Sequence, residues 1–542
     1  MIFLCGKEEC MPKKLFYYLL IFTLAIAFYF IHSFYIVKGN VFVYPLDDVY
    51  IHLAIAKNFV QSGFWGTNVG HFDSASSSIL YTLILSFLIK IFGDNVYYPM
   101  LVNIVAGYST VYCIYRYFVD FYSLREVKFG MMISIFCLLF TMVFFGMEQS
   151  LHMLLSVLAI YFIKQNEKHG YRNKDFIKLL VVILFLGMIR FESMFFVTTF
   201  SVLLFINKRI KEGFSILTAG FLPILIFGCI SIENGGYFFP NSVLIKGNYP
   251  EGNIFLSIWV IFKKGILTNI SFYKLFLFPF ICIGIYLFSR YKNKSIKEIF
   301  KNETIIIVVV STALMQSLFG MIRHRYENYL LLMFFIIVVS VSHDFIKPKL
   351  QDSLKKKVQQ ILFLGSFAAF GGLGCYLVWY FHFISIIASK NIQEQQVEMS
   401  RFLNDYYQGE KVVANDIGAI SYFSNVKILD IIGLGSTDVT RFFVNNKNRD
   451  EVQFNNSFHL FLTQYIKNNK YKIAVIYPDW YPDKPPKHWI PVASWKIENN
   501  MVAARDKVVW YAFDRNAADN LRENIKKFKL NKNVKQDIIY KK

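Results

Sequence analysis

The chain has 542 residues, of which 55% are hydrophobic and 18% aromatic, with 58 Phe and 34 Tyr. Charged residues fall to 18%, against roughly 25% in an ordinary soluble protein, and mean hydropathy is +0.40. The apolar residues form continuous, non-alternating runs, which exclude a soluble enzyme, a disordered chain, a fibrous repeat and an outer-membrane barrel and leave a polytopic α-helical membrane protein.

The net charge of +21 belongs with that reading and not with nucleic-acid binding, because positive charge in a membrane protein collects in cytoplasmic loops. In chain order, apolar stretches fall at 15–37, 98–118, 128–146, 149–163, 176–189, 193–206, 214–232, 273–289, 304–321, 327–342 and 359–387, with a shorter run at 77–92. The first stretch is long and lacks a small-x-small cleavage site, so it reads as a retained helix rather than a signal peptide. Basic clusters stand at Lys7/Lys13/Lys14, Arg116/Arg125/Lys128, Lys164/Lys168/Arg172, Lys208/Arg209/Lys211, Arg290/Lys292/Lys294 and Lys347/Lys349/Lys355. All six share the cytoplasmic side only if 77–92 lies in the interface instead of crossing. The spacing then predicts eleven crossings, a cytoplasmic N-terminus and an extracytoplasmic C-terminus. Clusters bracketing 176–206 on one side predict a shallow hairpin that turns at Arg190.

Residues 1–389 therefore read as a transmembrane domain, with a first extracytoplasmic loop at 38–97. Residues 390–542, where Asn, Asp, Lys and Pro return, read as an extracytoplasmic mixed α/β domain. Strand-like runs there are 411–414, 472–477 and 508–513. The seven cysteines form no CxxC pair and five lie in apolar runs, which argues against a disulfide framework or a zinc site.

The first loop carries the most chemistry. Asp47 and Asp48 precede a helical pattern with apolar positions 51, 55 and 59 on one face. One acidic residue suffices to cap a helix, at about 0.3–1 kcal/mol; the second favours a carboxylate base at the membrane surface. His71 and the cluster Ser76-Ser77-Ser78 follow. The serines read either as a cap or as hydroxyls that hold phosphate or sugar oxygens, and His71 equally as a solvated loop residue. Glu148, bordering the bilayer, is costly to bury alone. It pairs with Arg190, holds a divalent cation with Asp48, or orients an acceptor. Arg190, Lys246, Arg323, His324 and Arg325 are basic residues on the outer side, against the general trend. They read as phosphate-binding groups, with headgroup snorkelling as the alternative for Arg323 and Arg325.

The order Asp47-Asp48-x-Tyr50-Ile51, Ala56-Lys57-Asn58 and Ser76-Ser77-Ser78-Ile79-Leu80-Tyr81 resembles the first outer loop of GT-C-type membrane glycosyltransferases. The bacterial branch of arabinofuranosyltransferases and lipopolysaccharide-modifying enzymes is the nearest in pattern. Gly146-Met147-Glu148, Arg190-Phe191-Glu192, Phe239-Pro240-Asn241-Ser242 with Lys246, Asn415-Asp416-Ile417-Gly418 and Asp430-Ile431-Ile432-Gly433 follow in the family's order. Phe191 departs from the family's Arg-Pro-Glu-like turn. The resemblance implies an inverting glycosyltransferase of the bacterial cytoplasmic membrane. It would move a sugar from a polyprenyl-phosphate donor to a cell-envelope glycan, glycolipid or lipopolysaccharide at the outer face.

A carboxylate, Asp47 first and Asp48 second, would take the acceptor proton, with Glu148 assisting. The anionic leaving group needs donors and positive charge. Mg²⁺ or Mn²⁺ on Asp48 and Glu148 is chemically compatible, though no ligand cluster demands it. The alternatives are a secondary transporter, which would place ionisable residues at mid-membrane, and a non-catalytic glycan- or lipid-binding membrane protein.

Overall fold

The computed structural model describes residues 13–37, 42–122, 139–246, 254–320, 322, 325–346, 354–482 and 484–540. The apolar stretch 128–146 lies partly outside them. The other long apolar stretches are helical: Lys13–Val37, Tyr98–Phe121, Gln149–His169, Asn173–Ile189, Ser193–Ile206, Ile210–Glu233, Ile270–Tyr291, Thr304–Phe319, Asn328–Ile346 and a helix from Leu354. The interfacial candidate is the helix Ile79–Phe92. Phe255, Trp259, Ile361 and Trp379 are exposed on helix exteriors; such a surface suits hydrocarbon, and the chain is a membrane protein.

Helix length by itself supports fewer than eleven crossings. Among the described residues, Ile210–Glu233, Ile270–Tyr291 and Leu354–Tyr406 are each long and apolar enough to span. Ile296–Asn302 and Thr304–Phe319, bent by 97°, make a fourth if they are one broken span. At the expected hairpin, Asn173–Ile189 ends at Arg190 and Ser193–Ile206 starts three residues later. Asn173–Ile189 meets Ile210–Glu233 backbone to backbone: a Cβ on Gly187 would lie 2.0 Å from the Gly220 carbonyl oxygen. Small residues at such a crossing replace the missing hydrophobic drive with close packing.

The last membrane helix does not stop near residue 390. It continues through a π-turn at Gln393–Val397 to Tyr406 and so enters the tail as one rod. The tail is a six-stranded sheet of β1 (Lys411–Ala414), β2 (Lys427–Asp430), β3 (Ile473–Ile476), β4 (Ile490–Lys496), β5 (Lys507–Ala512) and β6 (Lys535–Ile538). The order is β2-β1-β3-β5-β4-β6, parallel among the first three and antiparallel thereafter. Strand alternation divides β5: Val508, Trp510 and Ala512 face one apolar layer with Phe402 and Leu521, while Val509 and Tyr511 face Phe458 and Leu462.

The first layer is shared with the first loop, whose Ile51, Ile55, Trp65 and Ala75 join one apolar cluster with Met399, Ile417 and Ile420. Asn68 adds a polar clasp on edge strand β2, donating to the Ile428 carbonyl (3.0 Å) and accepting its N–H (2.7 Å). The edge is thereby closed to other strands.

Candidate active site

Asp47 occupies the N-cap position of the helix Asp48–Ser62 yet makes no capping bond there. Its Oδ2 accepts the Gly418 N–H (2.6 Å) and its Oδ1 the Ala419 N–H (2.8 Å), in the tail helix Gly418–Phe423. A Cβ at Gly418 would stand 2.1 Å from the Asp47 carbonyl oxygen and 2.6 Å from Oδ2, so glycine is what permits the approach. Asp416 lies alongside, accepting from Gln396 Nε2 (2.7 Å) and the Tyr477 hydroxyl (3.0 Å). Burial and then the Asp416 charge push Asp47 well above the usual carboxylate range, and burial raises Asp416 too. Burial and the proximity of the two carboxyls both disfavour the doubly charged state.

A second pair of buried carboxyls, Asp73 and Asp430, is held by hydrogen bonds from each segment's own residues. Asp73 accepts the Thr67 N–H (2.6 Å), the Thr67 hydroxyl (2.7 Å) and the Ala75 N–H (3.2 Å). In the tail, Asp430 accepts the Ile432 and Gly435 N–H groups, both at 2.8 Å. Burial raises Asp73 to about 7 and Asp430 to about 6. Both values lie above the unfolded carboxylate value of about 3.9. Between these limits the native state binds more protons. Their contribution to stability is full below about pH 4 and falls as pH rises through the native values, by about 1.4 kcal/mol per pH unit for each proton. The unfolding midpoint of the purified protein should therefore drop from about pH 5 to about pH 8; a midpoint that climbs over that interval contradicts this assignment.

Between the first loop and the helix ends lies an open cavity of about 150 Å³. Its polar wall is formed by Asp48, His52, Ser76, Ser77, Arg190 and Glu192, and Tyr326 and Ser242 complete it. Arg325 Nη2 donates to Asp48 Oδ2 at 2.5 Å and to the Tyr326 hydroxyl at 3.1 Å. Arg190 is buried, with its guanidinium 4.5 Å from the Tyr326 ring centre. It donates twice to Glu192 (2.6 and 3.1 Å) and once to Glu148 Oε1. Taking three charges out of water demands such mutual satisfaction. Behind the wall, Glu148 Oε2 faces His52 Nε2 at 3.5 Å, and His52 Nδ1 meets the Ser76 (3.1 Å) and Thr82 (3.0 Å) hydroxyls. Ser242 Oγ and Arg325 Nη1 are buried without a hydrogen-bond partner among the described residues, a condition that a polar ligand would relieve.

The structure thus brings Asp48, Ser76, Ser77 and Arg190 to one cavity, with Arg325 behind Asp48. Asp47 turns instead to the tail junction, where it is bonded to Gly418 and Ala419. Glu148 is fully buried beneath Arg190 rather than on the wall. His71 is exposed on the loop, away from the cavity. Lys246 ends the short helix Asn241–Lys246, whose Ser242 reaches the cavity; Arg323 and His324 lie outside the described residues. Asp48 and Glu148 are each held by a guanidinium, and among the described residues no three of His, Cys, Asp and Glu gather. This donor set does not fit a divalent cation. Trp489 and Tyr481 are packed in the tail core, and Trp480 is 37% exposed against Tyr477.

Sequence reasoning missed His52 and Tyr326. His52 stands one helical turn after Asp48, and that i, i+4 spacing was the available signal.

Residues 390–511 match a family model described as a domain of unknown function (DUF8728). No curated protein matches the chain. Among solved structures, the chain is similar to ArnT from Cupriavidus metallidurans in its apo state, with a TM-score of 0.51 at 10% identity over 91% of this chain and 98% of that one. The same protein bound to undecaprenyl phosphate gives 0.51 at 11% identity, with the same coverage. The Archaeoglobus fulgidus oligosaccharyltransferase gives 0.42 at 10% identity over 90% of this chain and 73% of that one.

Proposed function

On the premise that the chain has the fold of the GT-C membrane glycosyltransferases, we propose that it is an inverting glycosyltransferase that draws its sugar from a polyprenyl-phosphate donor. The observation that carries this reading is the cavity itself, where a carboxylate, two arginines and hydroxyls converge beside a membrane domain. A lipid donor fits that location, since its chain stays in the bilayer while its head enters. The ArnT structure with undecaprenyl phosphate supports a donor of that class. The acceptor is a hydroxyl of an envelope glycan, glycolipid or lipopolysaccharide at the outer face of the bacterial cytoplasmic membrane.

In the reaction, Asp48 takes the proton of the acceptor hydroxyl as its oxygen attacks the anomeric carbon. The bond from that carbon to the phosphate oxygen breaks, and its electron pair leaves with the lipid phosphate. The phosphate needs no protonation but does need donors. Arg325 is suited to supply them, because Nη2 orients Asp48 while Nη1 has no partner among the described residues. Negative charge near the sugar also favours the oxocarbenium-like transition state. Ser76, Ser77 and Ser242 line the route for sugar or phosphate oxygens, with Lys246, Arg323 and His324 as further cations.

Purified protein supplied with a panel of synthetic polyprenyl-phosphate sugars and envelope lipids should transfer at least one sugar with inversion. Mass spectrometry of envelope glycans from a deletion strain should show the loss of that same residue. An unchanged glycan profile together with no transfer from any donor would sink the reading.

A further inference from the structure

Behind the polar wall of the cavity lies a buried layer that the proposed chemistry leaves unused. His52 stands there with its ring at 86° to that of Tyr81 and the centroids 5.6 Å apart. The Tyr81 hydroxyl is itself anchored, donating to the Gly146 carbonyl at 2.9 Å. His52 Nε2 faces Glu148 Oε2 at 3.5 Å, an oxygen with no hydrogen bond elsewhere among the described residues, while Oε1 is held by Arg190. The neutral ring therefore keeps its proton on Nε2, toward the carboxylate, and presents Nδ1 as an acceptor.

Two hydroxyls reach that acceptor. Ser76 Oγ lies 3.1 Å and Thr82 Oγ1 3.0 Å from Nδ1, and the two oxygens are 3.0 Å apart. The Ser78 carbonyl is within reach of both, at 3.0 Å from Ser76 and 2.9 Å from Thr82. Two hydroxyl protons thus meet two acceptors, Nδ1 and the Ser78 carbonyl, and neither hydroxyl has a proton left to give. The Ser78 N–H donates to Ser76 Oγ at 3.1 Å and takes one lone pair; the other remains. Of the two hydroxyl residues, Ser76 is the one on the cavity wall.

We propose that His52 is a positioning residue that fixes the Ser76 hydroxyl as a hydrogen-bond acceptor, so that Ser76 reads a hydroxyl of the donor's sugar and not the lipid phosphate. The proposal rests on the glycosyltransferase reading and adds to it which part of the donor the serine meets. An ionised phosphate oxygen has no proton to offer such a group, whereas a sugar hydroxyl has one. The polar atoms able to donate lie elsewhere on the site, at Ser242 Oγ and Arg325 Nη1, which have no partner among the described residues.

The test uses the full-length protein, the polyprenyl-phosphate sugar that it transfers, and the monodeoxy analogues of that donor. Removing one particular sugar hydroxyl should lower wild-type kcat/KM about tenfold, the weight of one neutral hydrogen bond. Ser76→Ala should cost the same factor on the parent donor and nothing on that one analogue, while its cost persists on the others. His52→Leu should reduce the discrimination, and His52→Asn, whose amide oxygen can take the place of Nδ1, should restore it. Binding of polyprenyl phosphate without a sugar, followed by thermal shift, should be unchanged in Ser76→Ala and weakened in Arg325→Ala. An equal loss from Ser76→Ala on every analogue, full activity of Ser76→Ala on the parent donor, or weakened polyprenyl-phosphate binding by Ser76→Ala would overturn the proposal. Absence of wild-type transfer from any donor would instead overturn the glycosyltransferase reading, and this proposal with it.

Discussion

Replacing Arg190 with Met is expected to be the most damaging single change in the membrane domain. Its guanidinium lies between Glu148 and Glu192 and stacks near Tyr326. Removing it leaves the buried Glu148 and the half-buried Glu192 without their shared cation. Breaking one buried ion pair from a single side costs about 3–5 kcal/mol, and here one cation serves two anions. The variant should lose thermal stability in detergent and all measurable sugar transfer. Arg190→Lys keeps a charge but not the fork that reaches both acids, so it should fall between the two. The variant Arg190→Met/Glu148→Gln/Glu192→Gln removes the unpaired charges and should recover much of the stability without recovering transfer. If Arg190→Met unfolds at the wild-type temperature, the buried triad is not what joins these helices.

Asp48→Asn should do the opposite, leaving the fold intact and stopping the chemistry. Its side chain is 35% exposed and its ion pair with Arg325 borders open space, so stability should change by about 1 kcal/mol or less. Loss of a positioned general base should lower turnover by about 10²–10⁴-fold. Asp47→Ala should lower stability by about 1–3 kcal/mol, through the stranded Gly418 and Ala419 N–H groups. Gly418→Ala, which drives a methyl group into the Asp47 carboxylate, should reproduce Asp47→Ala and not Asp48→Asn. Thermal melts and initial rates on the wild type and these three variants separate the two roles. Should Asp47→Asn abolish transfer at full stability while Asp48→Asn stays active, the base is Asp47.

The helices were legible because apolar runs bounded by basic residues have few other readings, and strands β1, β3 and β5 were legible from their short apolar character. Edge strand β6, Lys535–Ile538, has a polar sequence and owes its conformation to pairing with β4. Composition turns polar at residue 390 while the helix continues to Tyr406, so the change in composition marks no break in the backbone. The acidic pair was visible, but its division of labour was not. Neighbouring positions on a helix point about 100° apart, and which one meets the tail depends on a loop far along the chain. His52 and Ser76 were adjacent to readings already made, yet their contact needs the Asp48–Ser62 and Ile79–Phe92 segments brought together in space.

The separation between Asp47 and its two backbone partners carries a consequence for biogenesis. Those partners lie 371 and 372 positions later, so at ribosomal rates of 5–20 residues per second roughly 20 to 75 seconds pass between the synthesis of one side of the junction and the other. During that interval Asp47 lacks the Gly418 and Ala419 N–H groups that hold it, and Ile51, Ile55 and Trp65 lack the tail part of their apolar cluster. A chain stalled or truncated before residue 418 would carry the first loop without its contacts to the Gly418–Phe423 helix. The clasp between first loop and tail therefore closes only after the membrane helices have all been made.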